Sequence, residues 1–332
     1  MTDTDLTRAD DRREERRAFF RTAATASAAV AGASILSACF GGGGDDDNNT
    51  SPTPTPTPSP TGTATSSLND ADILGFALQF EYVVAQFYAF ATTGSGLPNA
   101  QLTGNGAQGA VSGGRQVSFT DPQVAQFARE MAADKAAHVA FLRTTLSASV
   151  LAQPPLDISA NATGAFSNAA RAAGLVGAGV AFDPYANDDN FLLAAFLLED
   201  VGVTAYKGAA PLITSKTFLE AAAGLLAASS YHAGLVRTVL YRKGLGNTAL
   251  FNAAGAISNA RDALDGTTDL DQGIAPLGGV SNIVPADANG IAYSRSTAQV
   301  LNIIYLTSTA TTAGGFYPSG LNGRILASAA AS

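Results

Sequence analysis

"FALQFEYVVAQFYAF", residues 76–90, places one carboxylate, Glu81, in a run that is otherwise almost wholly apolar or aromatic. A second run, "AAFLLEDVGVTAYKG" at 194–208, repeats the arrangement with Glu199. In both, a tyrosine follows seven residues after the glutamate: Tyr88 after Glu81 and Tyr206 after Glu199. A buried carboxylate without a partner is costly and either neutralises or finds a cation. Two of them at matching places predict a polar site built into the interior of a helix bundle.

The partners of these two helices carry a second repeat. "HVAFLR" runs from His138 to Arg143 and "HAGLVR" from His232 to Arg237, and these are the chain's only two histidines. Glu-x6-Tyr followed by His-x4-Arg therefore occurs twice in order, the mark of a duplicated helix pair. The first helix is expected from about Leu68 to Thr92, with Asn69 or Asp70 as cap. The second opens at "TDPQ", where Thr120 or Asp121 caps Pro122, and runs to about Leu146. The third follows "NDDN" and ends before Pro211. The fourth spans about Ser215 to Lys243 and stops at Gly244. Long inserts fall at 93–119 and 148–188, the latter with a short helix near Phe166–Ala173. The tail holds two further helices, Ala249–Leu264 and Thr297–Tyr305, and is expected to wrap the bundle.

With these helix signatures, and a tail containing "NIVPADANGIAYSR" and "GGFYPSGLNGRI", the chain resembles the ferritin-like proteins related to plant desiccation-related proteins. The resemblance implies an all-α fold: a ferritin-like four-helix bundle over 68–245 with long inter-helix inserts, and a loop-rich C-terminal extension over 246–332. It also implies a di-metal design, one Glu from each of two helices and Glu-x-x-His from the other two. Glu81 and Glu199 match the single glutamates, and His138 and His232 match the histidines. The remaining two carboxylates have no match: Lys135 stands three residues before His138, and Ser229 three before His232.

That departure alters the charge balance. Two carboxylates and a lysine cannot neutralise two divalent metals, so a full di-iron centre is not expected. Lys135 lies on the helical face of His138, and its ammonium is expected to replace a metal as counter-ion to both carboxylates. The alternative to no metal is one divalent ion (iron, manganese or zinc) held by Glu81, His138, Glu199 and His232. Tyr88 and Tyr206 are read as core residues or hydrogen-bond partners of the carboxylates. Asp134, four residues before His138, is within reach of the same face and could supply a missing ligand. Glu130 and Asp200 are expected to face solvent.

Charged residues are 14% of the 332, net charge is −8 and the isoelectric point is about 4.7. No nucleic-acid partner is expected, since phosphate binding needs clustered Lys and Arg. No phosphate-binding glycine loop, nucleophile elbow or CxxC is present. At the N-terminus "ERRAFFR", with Arg16 and Arg17, precedes an Ala-rich apolar stretch and reads as a twin-arginine signal peptide over 1–38. "ILSAC" ends it, and the chain's only cysteine, Cys39, is expected to be lipidated as in a lipoprotein. A Pro/Thr-rich linker over 39–67 would then space the bundle from a membrane surface. These readings predict an exported protein of the periplasm or cell envelope, held to the membrane at Cys39. They name no protein partner.

Three functions follow. The first is a non-enzymatic envelope stress or structural role with a degenerate metal site. The second is a metal-dependent oxidase or peroxidase, motivated by the retained Glu/His quartet and by an export route that carries folded proteins. The third is a binding module acting through the long inserts.

Overall fold

The computed structural model describes residues 67–331; the expected signal peptide, Cys39 and the linker as far as residue 66 lie outside them. Asn69 caps the first helix, α1 (Asp70–Thr93). The Asn69 side chain accepts the Asp72 N–H at 3.0 Å, and the Asp72 carboxylate accepts the Asn69 N–H at 2.9 Å. α1 is long and apolar enough to cross a bilayer by length and composition, but 83% of its most apolar window is buried inside the protein. Most of its residues are buried in the core.

Asp121 caps α2 (Pro122–Leu146), with Pro122 in the first turn where its missing N–H costs nothing. After a short helix α3 (Ala165–Ala172) come α4 (Asp188–Ala209), capped by Asn187, and α5 (Lys216–Gly244), capped by Ser215. α1 packs along α2 and α4 along α5, as two helix pairs. Their starts are cross-tied. Asp70, first residue of α1, accepts the N–H groups of Thr214 and Ser215, each at 2.8 Å, where α5 begins. Asp188, first residue of α4, accepts those of Thr120 and Asp121, each at 3.1 Å, where α2 begins. Each carboxylate sits at the positive end of two helices at once, a favourable place for its charge.

The inserts meet in a two-stranded parallel ribbon, β1 (Val111–Gly113) with β2 (Leu156–Ile158), Val111 opposite Leu156. This is the one departure from helix and loop among the described residues, too short to alter the all-α class. Behind it Phe87 meets the rings of Phe166, Tyr185 and Phe191 at 5.3–5.8 Å, seating α1 under the inserts.

The extension supplies α6 (Ala249–Asp265) and α7 (Thr297–Tyr305), both packed on α4. Its last segment lies against α1, where the Tyr317 hydroxyl donates to the Gln79 carbonyl at 2.7 Å. Gly208 shows how close the extension comes: a Cβ there would stand 1.9 Å from the Arg295 carbonyl oxygen. Gly244 does not end its helix by a left-handed turn, contrary to expectation. It is the last residue of α5, and a Cβ on it would meet the Phe251 ring at 2.4 Å. Its smallness serves packing.

Candidate functional site

Glu81 lies in the middle of α1 and Glu199 in the middle of α4, both 0–1% exposed. Lys135 and His138 are three apart on α2, as are Ser229 and His232 on α5, so each pair shares one helical face. Those faces converge on the bundle axis. The Lys135 ammonium, fully buried, stands 3.1 Å from Glu199 Oε2 and 3.8 Å from Glu81 Oε1. Its Nζ also donates to Ser229 Oγ at 3.3 Å. The two positions that depart from the family's ligand pattern thus touch each other across the bundle.

Burial alone would raise the Glu81 carboxyl; the Lys135 charge, with His138 behind it, overcomes this and holds it down to about 2. For Lys135 the opposition is the same. Burial disfavours the ammonium, but Glu199 and Glu81 together lift its pKa above the ordinary 10.5. The centre is a charged cluster, two carboxylates about one ammonium.

Of the two tyrosines, Tyr206 crosses to the other helix pair and Tyr88 bonds within its own. Tyr206 of α4 donates to Glu81 Oε1 of α1 at 2.9 Å. Tyr88 of α1 donates to the Met131 sulfur at 3.6 Å. Burial raises both phenols well above their ordinary value, with Glu81 adding to the effect at Tyr206 and Glu199 at Tyr88. Neither ionises.

Toward the surface the two imidazoles lie 6.1 Å apart, 25° from parallel. His138 Nδ1 approaches Glu81 Oε1 at 3.5 Å, and His232 Nε2 meets Asp134 Oδ2 at 3.1 Å. Asp134 is half exposed, so it forms the outer edge of the site. Glu130 is exposed.

A ferritin-like fold implies a pair of metals. The donors here do not fit one. Glu81 Oε2, Glu199 Oε1 and His232 Nδ1 are buried without a hydrogen bond, His138 Nδ1 has only its 3.5 Å approach to Glu81 Oε1, and the types of these four atoms would suit a divalent ion. Yet among the described residues no three His, Cys, Asp or Glu side chains are gathered as ligands. The Lys135 ammonium sits against the same carboxylates that a pair of ions would need. A single ion could engage those four atoms only by competing with the lysine.

Asp200 corrects its sequence reading: it is 5% exposed and faces the extension. Its Oδ2 accepts from Arg237 Nη1 at 2.8 Å and from Arg261 Nη2 at 2.9 Å. Asp271 and Asp265, with Arg295, continue a buried network. The duplication reaches this level. Tyr82, next to Glu81, accepts from Arg143 at 2.6 Å; Asp200, next to Glu199, accepts from Arg237. Each arginine then grips backbone carbonyls of the segment lying over its own half, Arg143 at Thr103 (2.6 Å) and Arg237 at Ile283 (2.5 Å). The His-x4-Arg spacing displayed both arginines, but Arg261, Asp265, Asp271 and Arg295 carry no local signal.

The family model of the ferritin-like domain matches residues 69–242. Among characterised proteins, the chain is 28% identical over 272 residues to "Ferritin-like catalase Nec2" of Nesocodon mauritianus, covering 77% of this chain and 84% of that protein. It is also 28% identical over 269 residues to "Desiccation-related protein PCC13-62" of Craterostigma plantagineum, with the same coverage of 77% and 84%. No solved structure matches the chain at a significant level. With the four helices, their repeated Glu and His signatures and this match in agreement, the chain belongs to the ferritin-like domain family.

Proposed function

We propose that this is an exported ferritin-like protein whose former di-metal centre is neutralised by a lysine, and that it serves a non-enzymatic stress or structural role in the cell envelope, as the desiccation-related name of one relative suggests. The observation that carries the reading is Lys135, buried 3.1 Å from Glu199 and 3.8 Å from Glu81. An ammonium there supplies the charge and the hydrogen-bond donors that buried carboxylates require. Elemental analysis of the full chain, purified without chelators, is expected to show substoichiometric metal. Close to two irons per chain would end the reading.

A second reading, a metal-dependent oxidase or peroxidase, is favoured by these four buried donor atoms and by the catalase name of the other relative. Its tests are air oxidation of ferrous ion by the metal-free chain, and consumption of hydrogen peroxide, with and without an added reductant, by the chain incubated with ferrous or manganous ion. A rate above buffer that Glu199→Ala abolishes would support it, and a rate equal to buffer would exclude it.

A further inference from the structure

On the far side of α4 from the lysine, a cleft of about 110 Å³ opens between α4, α5 and the extension. One wall is polar and deeply buried: Asp200, Thr204 and Arg295 line it, each no more than 5% exposed. The opposite walls are apolar, with Val203 of α4 and Val284 of the extension among them. Gly234 of α5 also lines the cleft, and a Cβ added there would meet nothing within 4 Å.

Three features point to a ligand. Asp200 Oδ2 takes both of its arginine hydrogen bonds, while Oδ1 is buried with none. Oδ1 has no accessible surface in this state, so a ligand hydroxyl reaches it only with a shift of a lining side chain, and then removes the standing cost of a buried carboxylate oxygen without a donor. The network behind the wall is neutral, Asp200, Asp265 and Asp271 against Arg237, Arg261 and Arg295. A charged ligand would unbalance it; a neutral donor would not. Finally, the loop that roofs the cleft leaves large apolar side chains in water. Leu277, Val280, Val284 and Ile291 are 52–72% exposed within residues 277–291, and Val284 is itself a lining residue. Isolated exposed aliphatics are ordinary, but Val284, 72% exposed and lining the cleft, sets an apolar side chain at its mouth.

We propose that this cleft binds a small neutral molecule with an apolar body and one hydroxyl donor, an alcohol or phenol, whose O–H reaches the Asp200 carboxylate. The size is set by the volume: an apolar cavity of about 150 Å³ accommodates benzene, so a single ring or a short alkyl chain is the limit for an open cleft of this size. The site is separate from the lysine centre and independent of how that centre is read.

Isothermal titration of the full chain with benzyl alcohol and with toluene tests the proposal. Benzyl alcohol is expected to bind saturably, and toluene at least about tenfold more weakly, the difference one hydrogen bond to a charged acceptor makes. Gly234→Leu from the helix side and Ala292→Phe from the loop side are each expected to abolish binding. Gly234→Leu also raises helix propensity, so its thermal midpoint should not fall. Equal affinity for the two probes, no saturable binding of benzyl alcohol, or undiminished binding in both filled variants would overturn the proposal. The comparison of probes on the unaltered chain decides the matter even if a variant fails to fold.

Discussion

Lys135 is held by two carboxylates that need it as much as it needs them. Removing one partner of a buried ion cluster leaves uncompensated charge, which costs about 3–5 kcal/mol. Lys135→Met, close in length and without charge, is therefore expected to destabilise the chain by about that amount in urea unfolding. The triple change Glu81→Gln, Lys135→Met, Glu199→Gln removes all the charges together and should recover much of the loss. A Lys135→Met protein as stable as the parent would mean that the ammonium does not neutralise the site. The same cluster fixes a pH dependence. In the unfolded chain Glu81 takes up a proton near its ordinary value of 4.5, in the folded chain only near 2. Between those values the unfolded state binds more protons, so the Glu81 contribution is fully present above about 4.5 and is lost as pH falls toward 2. Denaturant midpoints measured across this range should fall less steeply with acid in Glu81→Gln than in the parent. For Lys135 the sign is reversed: its contribution is fully present below pH 10.5 and is lost as pH rises from there through the higher folded value.

Among the elements, the duplicated helix pair is tied together by exchange between its halves. Asp70 and Asp188 each start one helix and hold the start of a helix from the other pair, and Tyr206 crosses to Glu81. The arginines instead bind each half to the segment covering it. Arg237 is fully buried, whereas Arg143 binds carbonyls at the exposed rim. Arg237→Met should thus cost about 3–5 kcal/mol, and Arg143→Met clearly less. In hydrogen exchange, Arg237→Met should release protection in residues 266–296, and Arg143→Met in 97–117. Equal effects from the two would contradict the difference in burial. The repeat itself was legible in the sequence because Glu-x6-Tyr and His-x4-Arg are spacings within a single helix. The caps at Asn69 and Asp121 were legible for the same reason, each as one of two adjacent candidates, Asn69 or Asp70 and Thr120 or Asp121. The crossing of Tyr206 to Glu81 was not, since a seven-residue spacing says which face a side chain shares but not which neighbouring helix it meets. Asp200 was misread by a related limit. Next to an axis-facing Glu199 it had to point outward, and outward from a bundle helix ordinarily means water. Here it means α6 and the loop around Asp271, which arrive from some 60–70 residues later in the chain.

At the scale of the whole molecule, the extension is part of the folded unit. It closes over α4 through the arginine network and over α1 through Tyr317 and Asn322. Truncation at residue 246 would bare Asp200 and Arg237 together with the apolar face of α4, and is expected to give insoluble protein. The N-terminal readings stand as proposals at this same scale. Cys39→Ala is expected to move the protein from the membrane pellet to the soluble fraction, and an unchanged pellet would remove the lipid anchor from the account. The interior remains the decisive place. The most direct measurement is anomalous diffraction above the iron and zinc edges, from crystals of protein purified without chelators. No anomalous peak is expected among Glu81, His138, Glu199 and His232, with Lys135 density between the two carboxylates. A peak for one or two ions there, with the lysine turned out of the bundle, would contradict a lysine-neutralised centre.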